Sequence, residues 1–165
     1  MKRIGRKGLF VFGLMIVTGL VASGQSVKLT NLYSTRDYSI RYPAGWQVVE
    51  HLNDMTDVYI GNQSENFGYT IVRFETDLSL AEAKKQGNSN LKQAGVKILE
   101  DKQVFLAGMK CYRDVQEIRA FGQVSKLISY TFKHGNMLYN IKFGSVSKAA
   151  HEKLAADIVA SFKFK

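Results

Sequence analysis

The chain has 165 residues, of which 45% are hydrophobic and 22% charged, and it carries a formal net charge of +9. Such fractions exclude wholesale disorder, and the length fits one ordinary domain with a single core. Past the first few residues there is no Lys/Arg run and no interleaving of aromatic with basic residues, so the positive balance does not describe a nucleic-acid module.

Lys2, Arg3, Arg6 and Lys7 open the chain, Leu9 to Val21 follows without a charge, and Ala22-Ser23-Gly24 supplies small residues. A cationic tip, a short apolar middle and a small-residue exit are the marks of a secretory signal peptide over residues 1–24, cleaved near Gly24. The apolar stretch of 13 residues is shorter than the ~20 that a membrane-spanning helix needs. No cysteine follows it directly, which removes the lipid attachment of bacterial lipoproteins. The expectation is a periplasmic or secreted protein with no transmembrane segment in the mature chain. Cleavage leaves 19 Lys and Arg against 14 Asp and Glu, a charge of +5. The excess sits in the second half, where residues 97–165 carry 12 basic and 6 acidic groups.

Residues 25–36 read as an irregular leader. Tyr38, Ile40 and Tyr42 then alternate with Ser39 and Arg41, the period of a strand with one buried face. Pro43-Ala44-Gly45 breaks it and Trp46 to Val49 resumes extended structure. His51 to Asp54 reads as a loop, Met55 to Ile60 as a strand, and Gly61 to Asn66 as a turn. Phe67 to Phe74, dense in aromatic and β-branched residues, predicts a central strand. At Ser79 the period changes. Ser79 and Glu82 make a capping box, and Leu80, Ala83, Gly87, Leu91 and Ala94 recur at helical steps until Gly95 ends the helix.

Val96 to Leu106 is extended again, with a turn at Ala107-Gly108. Lys110 to Ala120 is a more charged strand for which an edge or partly solvated position is expected. Phe121-Gly122-Gln123 turns into Lys126 to Lys133, where Ile128, Tyr130 and Phe132 share a face. His134-Gly135-Asn136 is a hairpin signal. Met137, Tyr139, Ile141 and Phe143 then alternate with Leu138, Asn140 and Lys142. Ser147 reads as the cap of a last helix with the stripe Ala150, Leu154, Ile158 and Phe162, widened by Ala155 and Val159. Consecutive strands joined by tight turns pair antiparallel, and two amphipathic helices cover their apolar faces. The fold class is α+β, an antiparallel sheet of about six strands flanked by helices, in a single domain over residues 37–165.

Tyr38-Ser39-Ile40-Arg41-Tyr42-Pro43-Ala44-Gly45-Trp46 resembles the F-S-I-x-Y-P-x-G-W opening of PsbP-like domains. That family includes the extrinsic photosystem II subunit, the bacterial DcrB-type periplasmic proteins and a eukaryotic Ran-binding import factor. The Ser79 unit, the Leu106-Ala107-Gly108 turn, the hairpin reaching Tyr139 and the closing Ser161-Phe162 agree with it. The resemblance implies an αβα sandwich and a non-enzymatic, protein-binding or accessory role. The motif also has a plain physical use. Pro43 presets a turn and Gly45 permits a positive φ, which returns Trp46 beside the strand it left.

Catalytic patterns are missing from the sequence. There is no G-x-S-x-G elbow, no Walker loop and no G-x-G-x-x-G. His51, His134 and His151 stand apart and read as exposed or capping residues. His151-Glu152 begins like a zincin helix, but Ala155 occupies the second histidine's place, so no metal site is expected. Asn53, Asp54 and Asp57 lack the glycine and closing glutamate of an EF-hand. Cys111, the one cysteine, reads as a buried small apolar side chain.

If Tyr130 and Tyr139 face the core, Lys133 and Lys142 lie on the opposite sheet face by parity. Arg113 and Arg119 are then candidates to join them in a basic partner-binding surface. The function expected is a monomeric, exported binding or accessory module of the bacterial cell envelope, without cofactor, its partner an envelope protein. The alternative is a carrier of a small apolar or amphipathic ligand between sheet and helix, since the 12% aromatic content would line such a pocket.

Overall fold

The computed structural model describes residues 27–51, 56–106, 108–120, 122–144, 146 and 149–165. The expected signal segment, Asn53, Asp54, Ala107, Phe121 and the expected cap Ser147 lie outside them. In chain order the elements are β1 (Asn31–Ser34), β2 (Tyr38–Tyr42), β3 (Gln47–Glu50), β4 (Thr56–Asn62), β5 (Phe67–Glu75) and α1 (Leu80–Gln93). There follow β6 (Lys97–Leu106), β7 (Met109–Ala120), β8 (Gln123–His134), β9 (Met137–Gly144), α2 (Ala149–Ala160) and β10 (Lys163–Phe164).

Seven strands form one antiparallel sheet in the order β3-β4-β5-β9-β8-β7-β6, and β1-β2-β10 form a second, three-stranded sheet. The α+β class expected from periodicity holds, with more strands than the six anticipated. The expected leader is not irregular throughout: Asn31 to Ser34 pairs antiparallel with Ser39 to Tyr42. Leu32 and Ser34 face water while Tyr33 is half-buried, too short an alternation to be read from sequence. Lys110 to Ala120, expected at an edge or partly solvated, lies inside the sheet between β6 and β8 and is partly solvated, with Lys110 and Arg119 exposed. Arg113, Asp114, Glu117 and Arg119 are tolerated there because they are paired, and Lys110 is exposed.

Parity divides the large sheet into two unlike faces. Ile71, Tyr130, Phe132, Tyr139, Ile141 and Phe143 point to one face and are almost fully buried. Covering them are β2 and the region of α2: Tyr38 stacks on Phe162, and Phe162 meets the edges of Phe132 and Tyr139. Each such side chain contributes roughly 1.5–3 kcal/mol by leaving water, so this layer carries most of the stability. Gly45 has φ +78°, as the motif predicts, while Trp46 packs on Phe67 and Tyr69 of β5 in place of the expected return to β2.

The stripe expected on the last helix holds at Ala155, Ile158, Val159 and Phe162, with Leu154 half-buried, and departs from the expectation at its first turn. His151, Ala155, Ile158 and Val159 are buried and Ala150 is exposed. His151, expected at the surface, stacks on Phe67 with ring centroids 4.2 Å apart. His51 and His134 are exposed, as anticipated.

Among the described residues, the helix that covers the other face is α1. Ser79 accepts from the Glu82 N–H while the Glu82 carboxylate accepts from the Ser79 N–H, completing the capping box. Gly95, at φ +77°, ends the helix. The stripe residues Leu80, Ala83 and Leu91 are only half-buried, and the one buried residue of α1 is Lys84. A helix that buries a lysine beneath itself does not lie on an ordinary apolar layer.

Candidate functional site

Between α1 and the sheet lies a cleft of about 330 Å³. Its floor is made by residues of alternate parity to the core: Asp114 and Gln116 on β7, Ser129 and Thr131 on β8, Asn140 and Lys142 on β9. Cross-strand register brings them together, since Asp114 faces Ser129, Ser129 faces Lys142, and Thr131 faces Asn140. Its roof is the underside of α1, with Lys84, Gly87 and Leu91, and Phe74 and Leu138 add an apolar flank.

Two of the charges in this cleft neutralise each other, and Lys142 adds a further positive charge to its floor. Lys84 Nζ lies 2.5 Å from Asp114 Oδ1, 3.6 Å from Asp101 Oδ1 and 2.8 Å from Asn88 Oδ1. Asp114, with 1% of its surface exposed, also accepts from Ser129 Oγ at 3.0 Å and from Gln116 Nε2. Asn140 Nδ2 donates to Thr131 Oγ1 at 2.8 Å and to Ser129 Oγ at 3.3 Å. A buried ion pair is tolerated when its remaining lone pairs and protons are satisfied, which this arrangement achieves. One atom is left over. Gln116 Oε1 is buried and has no hydrogen-bond partner among the described residues. A hollow on the outer flank of α1, near Lys85, Lys92 and Tyr112, shares Lys84 and Asn88 with the cleft.

A second polar cluster lies on the core face. Tyr38 Oη donates to Asp57 Oδ2 at 2.7 Å, and Arg73 binds Asp57 at 3.3 Å and Asp37 at 2.5 Å. Burial first, then the bond to Asp57, holds the Tyr38 phenol far above its ordinary range. Burial and a bond to Glu50 push Tyr33 up to about 12. This cluster ties the small sheet to the large one.

The four basic residues expected to form a surface do not gather. Lys133 and Lys142 do share the α1 face, but Lys133 donates to the Leu78 carbonyl oxygen at 2.5 Å and so tethers the approach to α1. Only Lys142 lines the cleft. Arg113 stands opposite Tyr130, on the core face, bonded to Glu100 and, at 3.3 Å, to Glu152 on α2. Arg119 is exposed and pairs with Glu117 at 3.1 Å. Arg113 had been placed by charge alone; strand parity puts it with the core.

Cys111 is buried on the core side, where burial pushes its thiol up to about 11. Among the described residues no His, Cys, Asp or Glu side chains gather as a metal site would require. Sequence reasoning missed Lys84, Asp114, Gln116, Ser129, Thr131 and Asn140. Their signal was present: three strands carry small polar residues at the parity that an amphipathic helix should cover.

No protein-family model matches the chain, and no curated protein matches it. Solved structures do. Cyanobacterial PsbP (CyanoP) from Synechocystis aligns with a TM-score of 0.62 at 15% identity, covering 89% of this chain and 100% of that one. A protein from Bacteroides thetaiotaomicron aligns at 0.59 and 15% identity, over 78% of this chain and 45% of the other. LpqN of Mycobacterium tuberculosis, described as involved in cell envelope biogenesis, aligns at 0.58 and 12% identity, over 78% and 83%. Among the described residues no helix is long and apolar enough to cross a membrane. The opening motif, the two sheets and these alignments agree: the chain carries the PsbP-like fold.

Proposed function

We propose that the chain is an exported, non-enzymatic binding module of the cell envelope that works, as a monomer, through the cleft beneath α1. The observation that carries this reading is the state of the charges there. Lys84 and Asp114 neutralise each other, and the Ser129 hydroxyl donates to a carboxylate with no histidine beside it. A nucleophile needs a base or a depressed pKa, and the thiol of Cys111 is displaced the other way. The signal-like N-terminal segment and the structural likeness to LpqN support an envelope location. A photo-crosslinking residue at Phe74, on the cleft's exposed flank, is expected to give one discrete adduct in host cells, and the same residue at Val124 none. Identical patterns from both positions, or no adduct from Phe74, would contradict the reading.

A second reading is favoured by the cleft itself. Its volume falls at the lower end of the range of about 300–1,000 Å³ for small-molecule sites, and it joins an apolar flank to a polar floor. In that reading the module carries a small amphipathic ligand between sheet and helix.

A further inference from the structure

We propose that the cleft beneath α1 binds one uncharged amphiphile, whose amide or hydroxyl head donates a hydrogen bond to Gln116 Oε1 and whose alkyl body lies along Leu91, Leu138 and Phe74. The assignment rests on the carrier reading above and gives it a ligand class.

The head group follows from what the floor lacks. Gln116 is 2% exposed, and its Nε2 already donates to Asp114. That bond fixes the amide, because a flipped amide would set two acceptors against each other. The oxygen therefore stays an acceptor without a donor, a costly state for a buried group, and a ligand N–H or O–H would relieve it.

Charge selects against ionised heads. The Lys84 ammonium is turned to Asp114, Asp101 and Asn88, which leaves Lys142 on the β9 side of the floor as the cation open to a carboxylate or phosphate. An anion would meet the Gln116 oxygen and the Asp114 carboxylate, against the attraction of Lys142, half-buried on the floor. A quaternary ammonium fares no better. Asp114 is already bonded by Lys84, Ser129 and Gln116, and such a head has no proton for Gln116 Oε1.

The body follows from the flank. Leu138 is 5% exposed and Phe74 43%, which grades the apolar wall from closed to open. Above it α1 has a glycine where most helices would carry a side chain. A Cβ at Gly87 meets no atom within 4 Å, so the missing side chain leaves room inside the cleft.

Three probes built on eight-carbon chains separate the heads: octanamide, octanoate and octyltrimethylammonium, each titrated into isotope-labelled protein followed by amide NMR. Octanamide should saturably shift the Gln116 side-chain amide and the Gly87 and Leu91 backbone amides. It should bind at least about tenfold tighter than either ion, the factor that one good hydrogen bond supplies. Gly87→Leu, which fills the cleft while raising helix propensity, should abolish binding in a folded protein. Gln116→Met should weaken octanamide by about tenfold and leave the weak octanoate binding unchanged. Equal binding of all three probes overturns the assignment, and so does unaltered binding by Gly87→Leu. Tightest binding by octanoate, lost in Lys142→Met, overturns it as well. If every probe is silent while Phe74 still gives its discrete adduct, this ligand class falls and the binding module stands. If the adduct is missing too, both fall.

Discussion

Lys84 and Asp114 sit 2.5 Å apart with 8% and 1% of their side chains exposed, and neither tolerates the loss of the other. Removing one partner of a buried pair leaves a charge without compensation, which costs about 3–5 kcal/mol. Asp114→Ala is therefore expected to lose about that amount in urea unfolding. Asp114→Leu combined with Lys84→Met should recover most of it, because two apolar groups replace two charges together. Cys111 offers a second test at this scale, through pH. Its thiol ionises near 9.0 in an open chain and about 11 when buried in the fold. Between those values the unfolded chain has released a proton that the native one keeps, so stability falls as pH rises through the window. Below 9.0 the contribution is fully present. Urea midpoints should drop from about pH 9 to about pH 11, and Cys111→Ala should flatten part of that drop.

At the scale of elements, α1 is closed at its start by the capping box and at its end by Gly95. Ser79→Ala removes one half of the capping box and should cost about 1 kcal/mol, read from thermal unfolding, with faster amide exchange confined to the first turns of α1. This helix was legible from the sequence because its signals are local: the cap, the spacing and the closing glycine all lie within 17 residues, Ser79 to Gly95. The strand β7 was not legible in the same way. Its Asp114 and Gln116 look like solvated residues in a one-dimensional reading, and only register across β8 and contact with Lys84 make them interior. The candidate site escaped notice for the same reason. Its polar side chains come from three strands and α1, so no single spacing rule gathers them all. Basic charge drew attention to Arg113, whose parity with the core residues of β7 already spoke against a shared surface with Lys133 and Lys142.

For the molecule as a whole, the two faces of one sheet serve different ends. The face beneath β2 and α2 is sealed with aromatic and branched side chains. The face beneath α1 keeps a polar floor and an open flank. Stability should be distributed accordingly. Phe132→Ala, on the sealed face, is expected to cost about 3–5 kcal/mol, and Phe74→Ala, on the open one, roughly 0.5 kcal/mol or less, compared by chemical denaturation. Period-two alternation conveyed the sealed face well, since it is written in large apolar residues. The open face is written in residues that would suit any solvated strand, and its meaning emerges from what lies above it. The most direct test of the cleft as the working site is native mass spectrometry of the protein purified gently from its host, beside Gly87→Leu prepared in the same way. The wild type should carry a bound mass that the variant lacks; a bare polypeptide mass for the wild type, or the same adduct on both, would contradict the account.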